Sequence, residues 1–396
     1  MKLIYTLVLF TLLDFISTSC TIKKSTKINP SEEQIAIVKN QFVPDKRVAL
    51  FDVISVKNKN DIILKGESNL PEAIQALKEN LKAKNITFVD SIQILPNSSL
   101  EGKTRGVIKI SVANLRSKPK HSSELATQAT LGTPVLVYKK TDNWYLIQTP
   151  DKYLSWVDSG GIQLMNQEEF ANWKLADKII FLNTYGQSFE NKQQHIVSDL
   201  VAGDVLEVID ELKTAYKVKY PDGRTAYVHK NQAKKYKTWL AELKPTQESL
   251  IKTSKDLMGL PYLWGGTSSK GVDCSGFTKT IYFLNGMIIP RDASQQVHTG
   301  LLTDENKNFK NLQAGDLLFF GTPAAKDKKE RVTHVGMWLG NNEFIHSSGR
   351  VHISSMDKNA PNYDAYNFNR YLKSKRILNQ MDKNIINLTE ISVFKN

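Results

Sequence analysis

The sequence predicts an α+β protein of several small domains, with compact β-barrels in the middle and a helix-and-strand unit towards the carboxyl end. Three observations carry this reading. The chain has 396 residues, more than a single core usually fills. Residues 100–236 hold a weak internal repeat of short strand-like runs separated by turn signals. From about residue 246 the pattern changes, first to helical spacing and then to strand alternation broken by a turn.

The first twenty residues read as a signal peptide. Lys2 precedes an apolar run at residues 3–13, interrupted by Thr6 and Thr11 and too short to cross a bilayer. The run leads into Ile16-Ser17-Thr18-Ser19-Cys20, which resembles a bacterial lipoprotein cleavage site; there the Cys20 thiol would be acylated and become the mature amino terminus. Ser17 and Asp14 depart from the usual pattern, and simple secretion with ordinary cleavage is the alternative. Residues 21–99 comprise a polar tether and a small mixed α/β segment. In that segment residues 48–56 and 86–95 are expected as strands, and residues 71–81 as a helix with Pro71 in its first turn.

The two copies of the repeat are expected at residues 100–166 and 175–237. In the first, Gly132 precedes Val135-Leu136-Val137, followed by Trp144, Pro150-Asp151 and Trp156-Val157. In the second, Gly203 precedes Val205-Leu206, followed by Tyr216, Pro221-Asp222 and Tyr227-Val228. Closely spaced short strands of this kind predict small barrels. Asn114-Leu115-Arg116 resembles the opening of bacterial SH3-like domains; the second copy lacks it.

The charge of +13 is spread along the chain and predicts a solvated basic surface with some affinity for anionic envelope polymers. No nucleic-acid motif accompanies it. The chain has only two cysteines, so if Cys20 carries lipid, Cys274 has no disulfide partner. A lone thiol in an exported protein is a candidate nucleophile. Gly271 breaks the chain just before it, and Phe277, Ile281 and Leu284 then recur at helical spacing. With Asp273 or Ser275 as cap, Cys274 falls at a helix amino terminus, where the helix dipole favours a thiolate. Of seven histidines, His334 lies in an alternating run and His346 in a second short one. Gly340-Asn341-Asn342 between them signals a turn, so a hairpin there brings the two histidines nearly opposite each other, and if the register puts both on one face His346 can orient His334.

Six segments in order, Tyr262-Leu263-Trp264-Gly265-Gly266, Asp273-Cys274-Ser275-Gly276-Phe277, Arg291-Asp292-Ala293-Ser294-Gln295-Gln296, the glycine-bounded run 315–321, His334-Val335-Gly336-Met337 and Phe344-Ile345-His346, resemble the NlpC/p60 family of cysteine peptidases. The resemblance covers the last third of the chain. It implies a papain-like peptidase domain at residues 246–378, followed by a tail at 379–396 of no assigned role. It further implies Cys274 as nucleophile, His334 as base, His346 as the polar third residue, and Tyr262 beside the Cys274 amide as oxyanion support. Two SH3-like domains ahead of such a domain resemble the γ-D-glutamyl-diamino acid endopeptidases, which act on peptides released from the cell wall. In these enzymes an acid preceding the nucleophile, here Asp273, pairs with the free amine of L-Ala; helix capping alone is the other role open to it. Ser275 and Ser294 match positions at the same end of the peptide, and Trp264 matches a pocket wall. Tyr153 is the candidate aromatic lent by the first SH3-like domain, with an ordinary place in the barrel core as the alternative.

The expected protein is therefore a lipid-anchored periplasmic peptidase that cleaves the γ-D-Glu to diamino acid bond through an acyl-enzyme, with peptidoglycan peptides and a membrane as partners. No metal or other cofactor is expected, because His346 and His352 do not form a zinc spacing. A hydrolase of intact wall and a non-catalytic peptidoglycan-binding lipoprotein are the alternatives.

Overall fold

The computed structural model describes residues 29–58, 61–190 and 195–390. The signal segment and Cys20 lie outside them. The amino-terminal unit has two helices, Pro30–Phe42 and Pro71–Ala83, against a three-stranded sheet of Phe51–Asn58, Asp61–Ser68 and Phe88–Ile94. The first two strands are antiparallel and the third lies parallel to the second, which the crossover helix Pro71–Ala83 permits. Ile74, Leu77 and Leu81, spaced three and four apart on that helix, bury against Val38, Phe51 and Leu64.

The internal repeat corresponds to two copies of one architecture. Each copy has seven strands, and numbering them one to seven within a copy gives the spatial order 7-1-4-5-6-2-3 both times. The aromatics of the repeat lie in matching strands: Trp144–Gln148 and Leu154–Asp158 in the first barrel, Ala215–Lys219 and Thr225–His229 in the second. The closing pair is also shared, Arg116 opposite Trp156 and Phe189 opposite Tyr227. The second barrel thus keeps the fold without the Asn-Leu-Arg opening, because the strand order is set by which runs alternate and where turns fall, not by one tripeptide. Gly132 has φ +78°, and a Cβ there would stand 2.2 Å from the Val205 carbonyl of the second barrel, so this glycine permits close barrel–barrel contact.

The carboxyl-terminal domain opens with the helix Gln247–Asp256, capped by Thr246. Its sheet has six antiparallel strands in the order Leu301–Asp304, Tyr371–Arg376, Leu317–Thr322, Arg331–Gly340, Glu343–Ser348, Arg350–Ser355. Phe277 and Ile281 of the helix Cys274–Leu284 join Val335, Met337 and Ile345 in the core on one face of the sheet. The other face buries Leu318, Phe320, Trp338 and Phe344. The segment expected as a tail of no role is packed: Ile386–Asn387 pairs with Met287–Ile288, and Leu388 is buried among Ile180, Val205 and Trp239, where the second barrel meets the peptidase domain.

Candidate active site

Asp273 is the cap of the helix Cys274–Leu284, its Oδ1 accepting the Gly276 N–H at 2.7 Å. Cys274 is therefore the first helical residue, and its own N–H has no partner within the helix. Gly276 is required two residues later, since a Cβ there would stand 1.9 Å from the Gly266 carbonyl.

The hairpin Arg331–Gly340 to Glu343–Ser348 turns at Asn341 and Asn342, both with positive φ (50° and 61°), the signature of a type I′ turn. Met337 pairs with Ile345, so His334 and His346 share one face as diagonal neighbours rather than facing each other directly. Gly336 clears the space between them; a Cβ there would meet Phe344 at 2.8 Å and His346 at 3.2 Å. His334 Nε2 lies 2.7 Å from His346 Nδ1, and His346 Nε2 lies 3.1 Å from Ser354 Oγ. For His334 Nδ1 to accept a proton, Nε2 must carry the hydrogen and donate it to His346 Nδ1. His346 then holds its own hydrogen on Nε2, facing Ser354, and this chain fixes both tautomers.

Burial and the nearby Arg370 push His334 down to about 4, and burial with the neighbouring histidines pushes His346 to about 2, so both rings are neutral at pH 7. The sequence predicts a lowered thiol pKa for Cys274, and the structure corrects this. Burial and the Asp273 carboxylate push the thiol up to about 12, outweighing the donation of the Val335 N–H towards its sulfur. Thiol and imidazole are thus both neutral at pH 7, so a thiolate at Cys274 would have to form by proton transfer to a base. Alkylation of Cys274 is expected to be slow near neutrality and to keep rising with pH beyond ~8.5, where a free cysteine titrates. A plateau in the alkylation rate below that pH would contradict this picture. Proton acceptance by His334 should persist on the acid side until pH falls towards about 4.

The residues expected at the amine end of the peptide sort into two clusters. Asp273 is taken up internally: besides Gly276 it accepts from the Gly265 N–H at 3.0 Å and from Arg291, Nη2 at 2.6 Å and Nη1 at 3.1 Å. Ser275 Oγ belongs to the same cluster, 3.0 Å from Arg291 Nη1 and 3.2 Å from Asp273. The Arg291 side chain is 1% exposed, so this pair is a buried strut. Arg291 opens the motif at residues 291–296, where no local signal marks it as a strut.

The second cluster is partly exposed and centres on Asp292, which no local sequence signal marks out. Tyr153 reaches across from the first barrel and its hydroxyl donates to Asp292 Oδ2 at 3.0 Å. Ser294 lies beside it and, like Asp292, accepts from Arg47 of the amino-terminal unit. The half-buried Tyr262 is pushed up to about 12, chiefly by burial and next by the neighbouring Cys274, and remains a neutral hydroxyl donor. Trp264 is 63% exposed and its Nε1 donates to Glu124 of the first barrel at 2.8 Å, so it ties the peptidase domain to that barrel. The barrel strand Leu125–Thr130 completes that junction through Gln128, which accepts the Thr267 N–H at 3.0 Å.

A papain-like arrangement of cysteine on a helix start and histidine on the adjoining sheet defines a thiol hydrolase. The NlpC/P60 family model matches residues 259–370, and a bacterial SH3 domain model matches residues 111–163. A γ-D-glutamyl-L-lysine dipeptidyl-peptidase of Bacillus cereus is 32% identical over 253 residues, 61% of this chain and 73% of that protein. Dipeptidyl-peptidase 6 of Lysinibacillus sphaericus is 28% identical, covering 64% of this chain and 92% of its own length. The crystal structure of an NlpC/P60 family protein from Bacillus cereus superposes with a TM-score of 0.58 at 27% identity, over 69% of this chain and 99% of that one. The chain belongs to the NlpC/P60 family, and it is a cysteine peptidase.

Proposed function

We propose that the enzyme hydrolyses the γ-D-glutamyl to L-diamino acid bond of peptidoglycan-derived peptides that carry a free N-terminal L-Ala. The observation that supports this most is the corner where the Tyr153 hydroxyl of the first barrel meets the partly exposed Asp292 carboxylate. A free ammonium fits a partly exposed carboxylate, whereas a glycan attached to that amine would meet the barrel. Asp273, already bound to Arg291, leaves this role to Asp292. The names borne by the Bacillus cereus and Lysinibacillus sphaericus relatives agree with the reading.

In this mechanism His334 Nδ1 takes the Cys274 proton as the sulfur attacks the γ-amide carbonyl. The oxyanion is held by the Cys274 N–H and the Tyr262 hydroxyl. His334 then returns the proton to the departing diamino acid amine, leaving a thioester that water hydrolyses with the same ring as base. The test compares L-Ala-γ-D-Glu-diamino acid peptides with their N-acetylated forms and with whole sacculi. Free peptides are expected to be cleaved faster; equal rates on free and acetylated peptides would sink the reading and favour a hydrolase of intact wall.

Export to the periplasm with a lipid on Cys20 belongs to the same proposal. Cys20→Ser is expected to shift the protein from the membrane to the soluble fraction, and a wild-type protein already soluble after osmotic shock would contradict it.

A further inference from the structure

We infer that Arg47, from the amino-terminal unit, is a built-in cationic occupant of the amine subsite and sets how strongly the enzyme distinguishes free from blocked peptide amines. The inference rests on the reading of Asp292 given above.

Arg47 lies between the helix Pro30–Phe42 and the strand Phe51–Asn58. Its Nη1 donates to Asp292 Oδ2 at 2.7 Å and to Ser294 Oγ at 2.8 Å. Its Nε and Nη2 are gripped by the two oxygens of Asp45 at 2.8 and 2.7 Å, and Asp45 is held in turn by Gln295 Nε2 at 2.8 Å. The Arg47 carbonyl accepts the Leu154 N–H at 2.7 Å, next to Tyr153. The guanidinium is therefore aimed at the Tyr153–Asp292 corner by the backbone of the first barrel and by an acid of its own loop.

Docking of the amino-terminal unit does not depend on this contact. Leu95, Tyr138 and Leu146 are buried together where the unit meets the barrel, and Leu50 and Trp156 pack against them. Lys139 pairs with Glu67, and Gln148 Nε2 donates to the Val48 carbonyl at 2.8 Å. The Arg47–Asp292 pair is thus additional to the seam and lies where a substrate amine would sit. An arriving ammonium finds Asp292 Oδ2 already accepting from both Arg47 and Tyr153, so it must share or displace the guanidinium. A blocked amine, which carries no charge, loses less by this competition. Arg47 accordingly dulls selectivity for the free amine, and removing it should sharpen that selectivity.

The experiment is steady-state kinetics of the full chain on matched free and N-acetylated peptides. Arg47→Gln is expected to lower KM for the free peptide about two- to fivefold, the scale of a partly exposed ion pair, with kcat and the KM of the acetylated peptide little changed. Asp45→Asn, which loosens the grip on Arg47, should shift KM in the same direction. Glu67→Gln, at the docking seam away from the subsite, should leave KM unchanged. An unchanged or raised KM in Arg47→Gln would overturn the inference. So would an equal fall in Glu67→Gln, which would assign the effect to undocking. If neither the wild type nor Arg47→Gln prefers the free amine, the amine reading itself fails. A wild-type preference that Arg47→Gln leaves unaltered overturns only the role of Arg47.

Discussion

Cys274→Ala is expected to abolish peptide hydrolysis while leaving the fold intact. The side chain contributes a single sulfur to a core otherwise filled by Phe277, Ile281 and Val335, so its loss costs little packing. Chemically nothing replaces it, because no acyl-enzyme can form without the sulfur. His334→Ala should cost nearly as much, each on the order of 10⁴-fold or more in kcat, since nucleophile and base act as a unit. The double variant should then be hardly worse than either single one. The neutral resting pair makes the base more necessary, because a thiol pushed up to about 12 supplies almost no thiolate by itself. His346→Ala should cost less, as it removes only the partner that holds His334 in its tautomer. The measurement is turnover of a fluorogenic peptide beside a thermal melt of each variant. Normal turnover by Cys274→Ala would end the mechanism.

Arg291→Ala is expected to produce the largest loss of stability among the site residues. Its guanidinium is buried with two hydrogen bonds to Asp273, a third to Ser275 and a fourth, from Nε, to Thr127 of the first barrel at 2.9 Å. Removing it leaves the Asp273 carboxylate buried with only N–H and hydroxyl donors, and breaking a buried pair from one side typically costs ~3–5 kcal/mol. Asp273→Asn should be milder, since an amide oxygen can still cap the helix, although it leaves the Arg291 charge poorly matched. The readout is the denaturant midpoint of the full chain. An unchanged midpoint in Arg291→Ala would show that the pair is not a structural strut, and would return Asp273 to the candidates for contact with substrate.

Much of the site was legible because its signals are local. A capped helix start places Cys274, alternation with an Asn-Asn turn places His334 and His346, and a repeated spacing of glycine, aromatic and Pro-Asp marks the two barrels. Each is a pattern within some twenty to seventy residues, and hydrophobic periodicity reports local conformation directly. The thiol was misjudged because a helix dipole can be inferred from sequence but the extent of burial cannot. The packed tail went unread for a related reason: Leu388 has a purpose only once the second barrel stands beside it.

What the sequence by itself determined is the kind of chemistry and the elements at the site: a thiol on a helix start, two histidines on a hairpin, and barrels ahead of them. What only the tertiary structure decided is how the charges pair. Asp273 and Asp292 both precede or flank motif residues and look equivalent in sequence, yet one closes on the buried Arg291 and the other faces Tyr153 and Arg47 from two other domains. A carboxylate's role depends on which cation reaches it and how much water remains, and chain separations of 139 and 245 positions leave no local trace of either.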